Sequence, residues 1–178
     1  MSRLHTQDIA SATGQAAQLF GVIKAAIGKV PNAYATIGSN SPIVLETVLS
    51  MDAALRKSSL KGKQVEAVKL AVSEAAGCDY CLAAHSFAAK RLGLSSEAVI
   101  GLRRAESSGD AQLDALAAFA HYLATTKGTV PVEVVDAVKA AGYTDTQIVD
   151  TLLAMAAINL TNLFNRVNDT VVDFPAAD

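Results

Sequence analysis

The sequence predicts an all-α protein, a helical bundle in a single domain covering residues 1–178. Three observations carry that prediction. Apolar residues recur at intervals of three and four and almost nowhere alternate for long enough to suggest a strand. The periodic stretches are punctuated by Pro31, Gly77 and Gly93, with no linker-like or low-complexity tract between them. Finally, 178 residues fit one ordinary domain, long enough to bury most of its apolar surface without structural disulfides.

Element by element, a first helix is expected from about Thr6 to Ile27, with Ile9, Leu19, Phe20, Ile23 and Ile27 as its apolar candidates. Pro31 ends that stretch. The following segment, VPNAYATIGSNSP, reads as turn-rich. Ser41 and Pro42 then supply an N-cap and a first helical residue for a helix through about Arg56, whose face is Val44, Val48, Met51 and Leu55. A third helix runs from about Lys63 to Ala76, with Val65, Val68 and Val72 inward, and Gly77 stops it. The next starts near Cys78 and ends at Gly93. Ser95 and Ser96 cap a short helix to about Arg104, and ESSGD makes a polar turn. Helices over Ala111–Thr126, Pro131–Ala141 and Thr144–Asn168 complete the chain.

Composition excludes several function classes. Fifteen basic side chains against seventeen acidic ones leave a nearly balanced charge, and no Lys/Arg cluster with interleaved aromatics suits a phosphate backbone, so nucleic acid is not an expected partner. The start, MSRLHTQDIA, lacks the build of a secretory signal, and no unbroken run of 18 apolar residues occurs, which points to a cytoplasmic protein with no membrane partner. A hydrophobic content of 51% is high for a monomer. Much of it is Ala, Val and Leu, and surplus apolar faces between subunits would account for it, so a homo-oligomer is expected.

Only two cysteines occur, spaced C-x-x-C, which in a reducing compartment suggests redox or metal chemistry rather than a disulfide framework. On a helix beginning near Cys78, steps of about 100° place Cys78, Cys81 and His85 within one sector about 60° wide. His85 follows Cys81 by four positions, so its ring can reach that sulfur. The positive end of the helix dipole favours a thiolate at the helix start. Lowering a thiol from a pKa of about 8.5 to about 6.5 raises its ionised fraction at pH 7 from about 3% to roughly 75%. Loss of intrinsic nucleophilicity returns most of that gain. Proton delivery to a leaving oxygen is therefore the second requirement, and a histidine at this spacing can serve as the general acid. Two bland alternatives stand beside this reading: a pair of buried small apolar residues, and a zinc site. The latter has only three ligands in Cys78, Cys81 and His85, with no Cys/His group for a fourth.

Around EAAGCDYCLAAHS the sequence resembles the carboxymuconolactone decarboxylase family, and in particular its alkyl hydroperoxidase D-like (AhpD-like) branch. The pattern is a Glu about twelve residues before a C-x-x-C, then a His four residues after the second Cys. Glu66, Cys78, Cys81 and His85 stand at that spacing, in a redox core of about residues 58–93. The resemblance implies a thiol-dependent peroxidase in which Cys81 is the peroxidatic thiol and Cys78 resolves its sulfenic acid to a disulfide. It also implies a proton relay from Glu66 through His85 to Cys81. No cofactor or metal is called for; the expected partners are a hydroperoxide substrate and an external dithiol or thiol-protein reductant. Where some members of the branch carry a second His before the second Cys, this chain has Tyr80, which can pack at the site mouth or hydrogen-bond there.

Other residues are weighed against plainer roles. Without the resemblance, Glu66 reads as a surface carboxylate paired with Lys63 or Lys69, and Glu74 reads as solvated. His5 and His121 have no evident partners in catalysis. Asn159, Asn162, Asn165 and Arg166 form a polar stripe on the last helix, which reads as a helix-packing seam more readily than as a pocket lining or a subunit bridge. Asn159 and Asn168 begin formal glycosylation sequons, which matter only in a secreted chain. Two other functions fit parts of the pattern: a carboxymuconolactone decarboxylase-type lyase, for which His85 and Glu66 would suffice, and a non-catalytic disulfide sensor.

Overall fold

The computed structural model describes residues 2–177, which form helices and connecting turns with no strand among the described residues. A short 3-10 turn, Ile9–Ser11, precedes α1 (Gly14–Ile27), α2 (Asn32–Asn40), α3 (Pro42–Leu55), α4 (Gly62–Ala76), α5 (Asp79–Arg91), α6 (Ser96–Arg104), α7 (Ala111–Thr125), α8 (Val132–Ala140) and α9 (Asp145–Asn168). The all-α single-domain prediction holds.

Two boundaries differ from expectation, each for a local reason. The first helix begins eight residues late. Asp8 accepts from the Ala10 N–H and closes a 3-10 turn, and the extended backbone at Ala12 and Thr13 then separates that turn from α1. The turn-rich segment after Pro31 is in fact the helix α2. Pro31 does not merely end a helix; in extended conformation it starts the next, and its carbonyl accepts from the Ala35 N–H. Ser39 and Asn40, poor helix formers, return hydrogen bonds to the Ala35 and Thr36 carbonyls at 2.7 and 2.8 Å. Ser41 occupies the N-cap position of α3, but its side chain makes no capping bond.

The core lies around α4, which packs against α5, α6, α7 and α9. Ala67, Val68, Leu70, Ala71 and Val72 are all essentially inaccessible, so this helix is buried well beyond the single face its valines suggested. A second cluster, Phe20, Ile23, Ile37 and Leu45 with Ala16, joins α1, α2 and α3. Gly38 makes that packing possible. A Cβ there would lie 2.5 Å from the Phe20 ring and 2.7 Å from a Leu45 methyl. By length and mean hydropathy α9 could cross a bilayer. Here it is a core helix: Ala154, Met155, Ala157 and Ile158 join the α4 cluster, and Thr151, Asn162, Asn165 and Asn168 are buried beside them.

Candidate active site

A tight reversal between α4 and α5 sets up the site. Gly77 takes the left-handed conformation (φ 62°), and the Cys78 N–H reaches back to the Ser73 carbonyl at 3.1 Å, so two consecutive helices fold against each other with the cysteines at the bend. Cys78 is the N-cap of α5, and its sulfur accepts the Cys81 N–H at 3.4 Å. Both cysteines are free thiols and buried, their sulfurs 2.8 Å apart.

Across the same helix pair, Glu66 on α4 and His85 on α5 meet: Oε2 lies 2.8 Å from Nδ1, with 13% and 19% of the two side chains exposed. The plainer pairing of Glu66 with Lys69 is not formed; Lys69 instead binds Asp52 at 3.0 Å. Glu74 pairs with Arg103 at 2.7 Å. A carboxylate on Nδ1 fixes the ring orientation and leaves Nε2 for proton transfer.

Cys81 and His85 line one cavity of about 150 Å³, walled by Tyr34, Tyr80, Phe174, Ile27 and Pro31, with Thr161 and Asn165 contributed by α9. The ring does not bond the sulfur directly. Among the described residues, the side chains that hydrogen-bond the Cys81 sulfur are Cys78 and Asn165, whose Nδ2 donates at 3.3 Å. Cys78 faces another way, onto a polar cavity lined by Asp79, Arg166, Asp169 and again Asn165.

Ionisation of the pair is uneven. The Cys78 thiol is held below the ordinary cysteine range chiefly by its hydrogen bond with Cys81, against burial and with help from the Cys81 N–H. Cys81 is pushed above it by the same bond and by burial; Asn165 and Thr161 act in the opposite direction. Of the two sulfurs, Cys78 therefore carries the charge when one proton is lost, and Cys81 keeps the other proton. That agrees with a thiolate at the helix start, and it means Cys81 is not the anion at rest.

The stripe on α9 splits. Asn162 and Asn165 are buried while Asn159 and Arg166 are exposed. Tyr80 both packs and bonds: its hydroxyl donates to Asp173 Oδ1 at 2.7 Å and accepts the Ala33 N–H at 3.2 Å, while its ring meets Phe174 edge-on. Asp173 also accepts from Lys29 at 2.9 Å. The chain after α9 is thus pinned across the cavity. His5 is exposed and His121 half-buried, both remote from the thiols in sequence and absent from the cavity lining. Among the described residues no group of three or more His, Cys, Asp or Glu side chains is arranged to hold a metal ion.

The all-helical bundle, which sets a buried dithiol at the bend between two helices with a carboxylate–histidine pair beside it, has the AhpD-like fold. Residues 42–121 match the sequence model of the carboxymuconolactone decarboxylase family. No curated protein matches the sequence. Among solved structures, an uncharacterised peroxidase-related protein from Ralstonia eutropha JMP134, an alkylhydroperoxidase AhpD core, superposes with a TM-score of 0.86 at 19% identity, covering 97% of this chain and 92% of that one. The debrominase Bmp8, in complex with 2,3,4-tribromopyrrole, gives 0.80 at 18% identity over 97% and 92%. A second uncharacterised peroxidase-related protein, from Silicibacter sp. TM1040, gives 0.76 at 20% identity over 96% and 94%. At such identities these likenesses establish the fold.

Proposed function

We propose that the protein is a thiol-dependent peroxidase that reduces hydroperoxides through a Cys78–Cys81 disulfide and is recycled by an external dithiol or thiol protein. The observation that carries this reading is the convergence of the Cys81 sulfur and a carboxylate-held His85 on one small cavity.

The chemistry runs in three steps. Cys78, as thiolate, takes the Cys81 proton across the short sulfur–sulfur contact. The Cys81 thiolate attacks the terminal oxygen of R–O–O–H; an S–O bond forms, the O–O bond breaks, and His85 protonates the departing alkoxide from Nε2. Glu66 stabilises the imidazolium that makes this donation. The Cys78 thiol then attacks the sulfenic sulfur, its proton leaving with the hydroxide as water. Two thiols and one hydroperoxide become a disulfide, an alcohol and water.

The test is hydroperoxide consumption with a dithiol reductant. Wild type is expected to turn over and Cys81→Ser to be inert; equal rates would sink the proposal. A lyase acting by proton transfer alone needs Glu66 and His85 but neither thiol, so full turnover of a lactone by Cys78→Ala would favour that function instead. A redox sensor would form the disulfide yet show negligible turnover under excess reductant.

A further inference from the structure

Asn165 is used by none of the steps above, yet with Tyr80 it lines both cavities that border the dithiol. It lies 84 residues along the chain from Cys81 and is 4% exposed. Its amide is held in one orientation by the thiols. The Cys81 sulfur accepts from the Cys78 thiol and from Asn165 as well, so Nδ2 faces the sulfur and Oδ1 faces away. That Oδ1 is buried and accepts no hydrogen bond among the described residues. A buried amide oxygen without a donor is left unsatisfied, a deficit that a ligand N–H or O–H would remove.

We propose that Asn165 is a catalytic residue: its Nδ2 holds the attacking sulfur while its Oδ1 accepts the O–H of the hydroperoxide. This rests on the peroxidase reading and deepens it. The O–H in question sits on the oxygen that Cys81 attacks. It stays on that oxygen throughout, from R–O–O–H through the S–O bond-forming transition state to the sulfenic acid, so a single acceptor serves every stage. One amide thus sets the distance and line of approach between sulfur and oxygen, which is the orientation that a displacement requires. The selected substrate class is hydroperoxides bearing that O–H. The Nδ2 donor also helps the shared proton move from Cys81 to Cys78, because it stabilises charge on Cys81.

Rapid mixing of reduced protein with excess hydroperoxide, read as loss of titratable thiol, measures the first turnover. Alkylation of Cys81 by iodoacetamide, read by peptide mass, measures attack on a carbon that carries no O–H. Asn165→Leu is expected to slow the peroxide reaction about 100-fold, as for loss of one preorganised polar contact, and alkylation only several-fold. Equal slowing of both would reduce Asn165 to a positioning role, and an unimpaired peroxide rate would remove it altogether; either overturns the proposal. Asn165→Asp keeps the size and an acceptor but sets a carboxylate against the sulfur, and should move the pH profile of the peroxide rate up by about one unit. An unmoved profile would equally overturn the assignment. If instead the wild type is alkylated but inert to hydroperoxide, the peroxidase reading itself falls, an outcome visible without any variant.

Discussion

Four of the residues that build this site are legible in the sequence because they lie on two consecutive helices. Helical geometry alone groups Cys78, Cys81 and His85, and the family spacing adds Glu66. Their contacts follow once Gly77 folds α4 back along α5. Asn165, Thr161 and Phe174 were out of reach, because they meet the thiols only through tertiary packing. The polar stripe on α9 was visible, but nothing in its spacing says that Asn165 turns inward while Asn159 stays in solvent. The division of charge between the sulfurs was half legible: the helix start favours Cys78, but the rise of Cys81 comes from burial and from its bond to Cys78. The role given to Glu66 can be isolated. Glu66→Gln keeps the volume but removes the charge that stabilises the imidazolium, so peroxide-driven thiol loss should slow by roughly 10–100-fold. Iodoacetamide alkylation of Cys81 should hardly change; parallel loss of both rates would show that Glu66 merely supports the fold.

At the scale of elements, boundaries marked by a glycine stop or a capping side chain followed their chemistry, and beginnings without a side-chain cap were harder. Gly77 stops α4, Ser95 caps α6 through a 3.1 Å bond from the Ala98 N–H, and Thr144 caps α9. The missed element was α2, whose Asn, Ser and Gly content argues for a turn while its buried Ala33, Ala35, Ile37 and Gly38 pack as a helix. Tertiary packing overrides weak propensity there. Gly38→Ala poses the two effects against each other. The backbone gains about 1 kcal/mol of helix propensity, but the added methyl meets a ring and a side chain that are both buried, an overpacking cost of about 1–3 kcal/mol. The clash should win, with net destabilisation of up to about 2 kcal/mol in urea unfolding. A more stable variant would mean that α1 and α2 separate more readily than their packing indicates. The same helix lines the site with Ala33 and Tyr34, so its loosening should also speed alkylation of Cys81.

For the molecule as a whole, the apolar surplus in the composition reappears as an outward stripe on α9: Val149, Leu152, Leu163 and Val167 are 48–65% exposed at helical spacing. We propose a second copy of the chain, the homo-oligomer expected from the composition, as the occupant of this stripe. Sedimentation of the wild type should give a mass above one chain, falling toward one chain on Leu163→Glu; a monomeric wild type would refute it. Stability as a function of pH carries a separate signature of the dithiol. Cys78 ionises more readily in the folded protein than in the unfolded chain, so stability rises with pH until the unfolded thiols ionise near pH ~8.5. Cys81 keeps its proton when folded, so above that pH the unfolded chain releases a proton that the folded one holds, and stability falls. Buried Tyr34 and Tyr80, raised beyond the usual range, and Tyr143, pushed up to about 12, add to the fall above pH ~10. In the oxidised protein the thiol contributions vanish and the tyrosines remain. Urea unfolding of reduced protein minus that of oxidised protein should therefore peak near pH ~8.5, since subtraction cancels the tyrosines. A difference that changes in one direction only across this range would contradict the opposed shifts at Cys78 and Cys81.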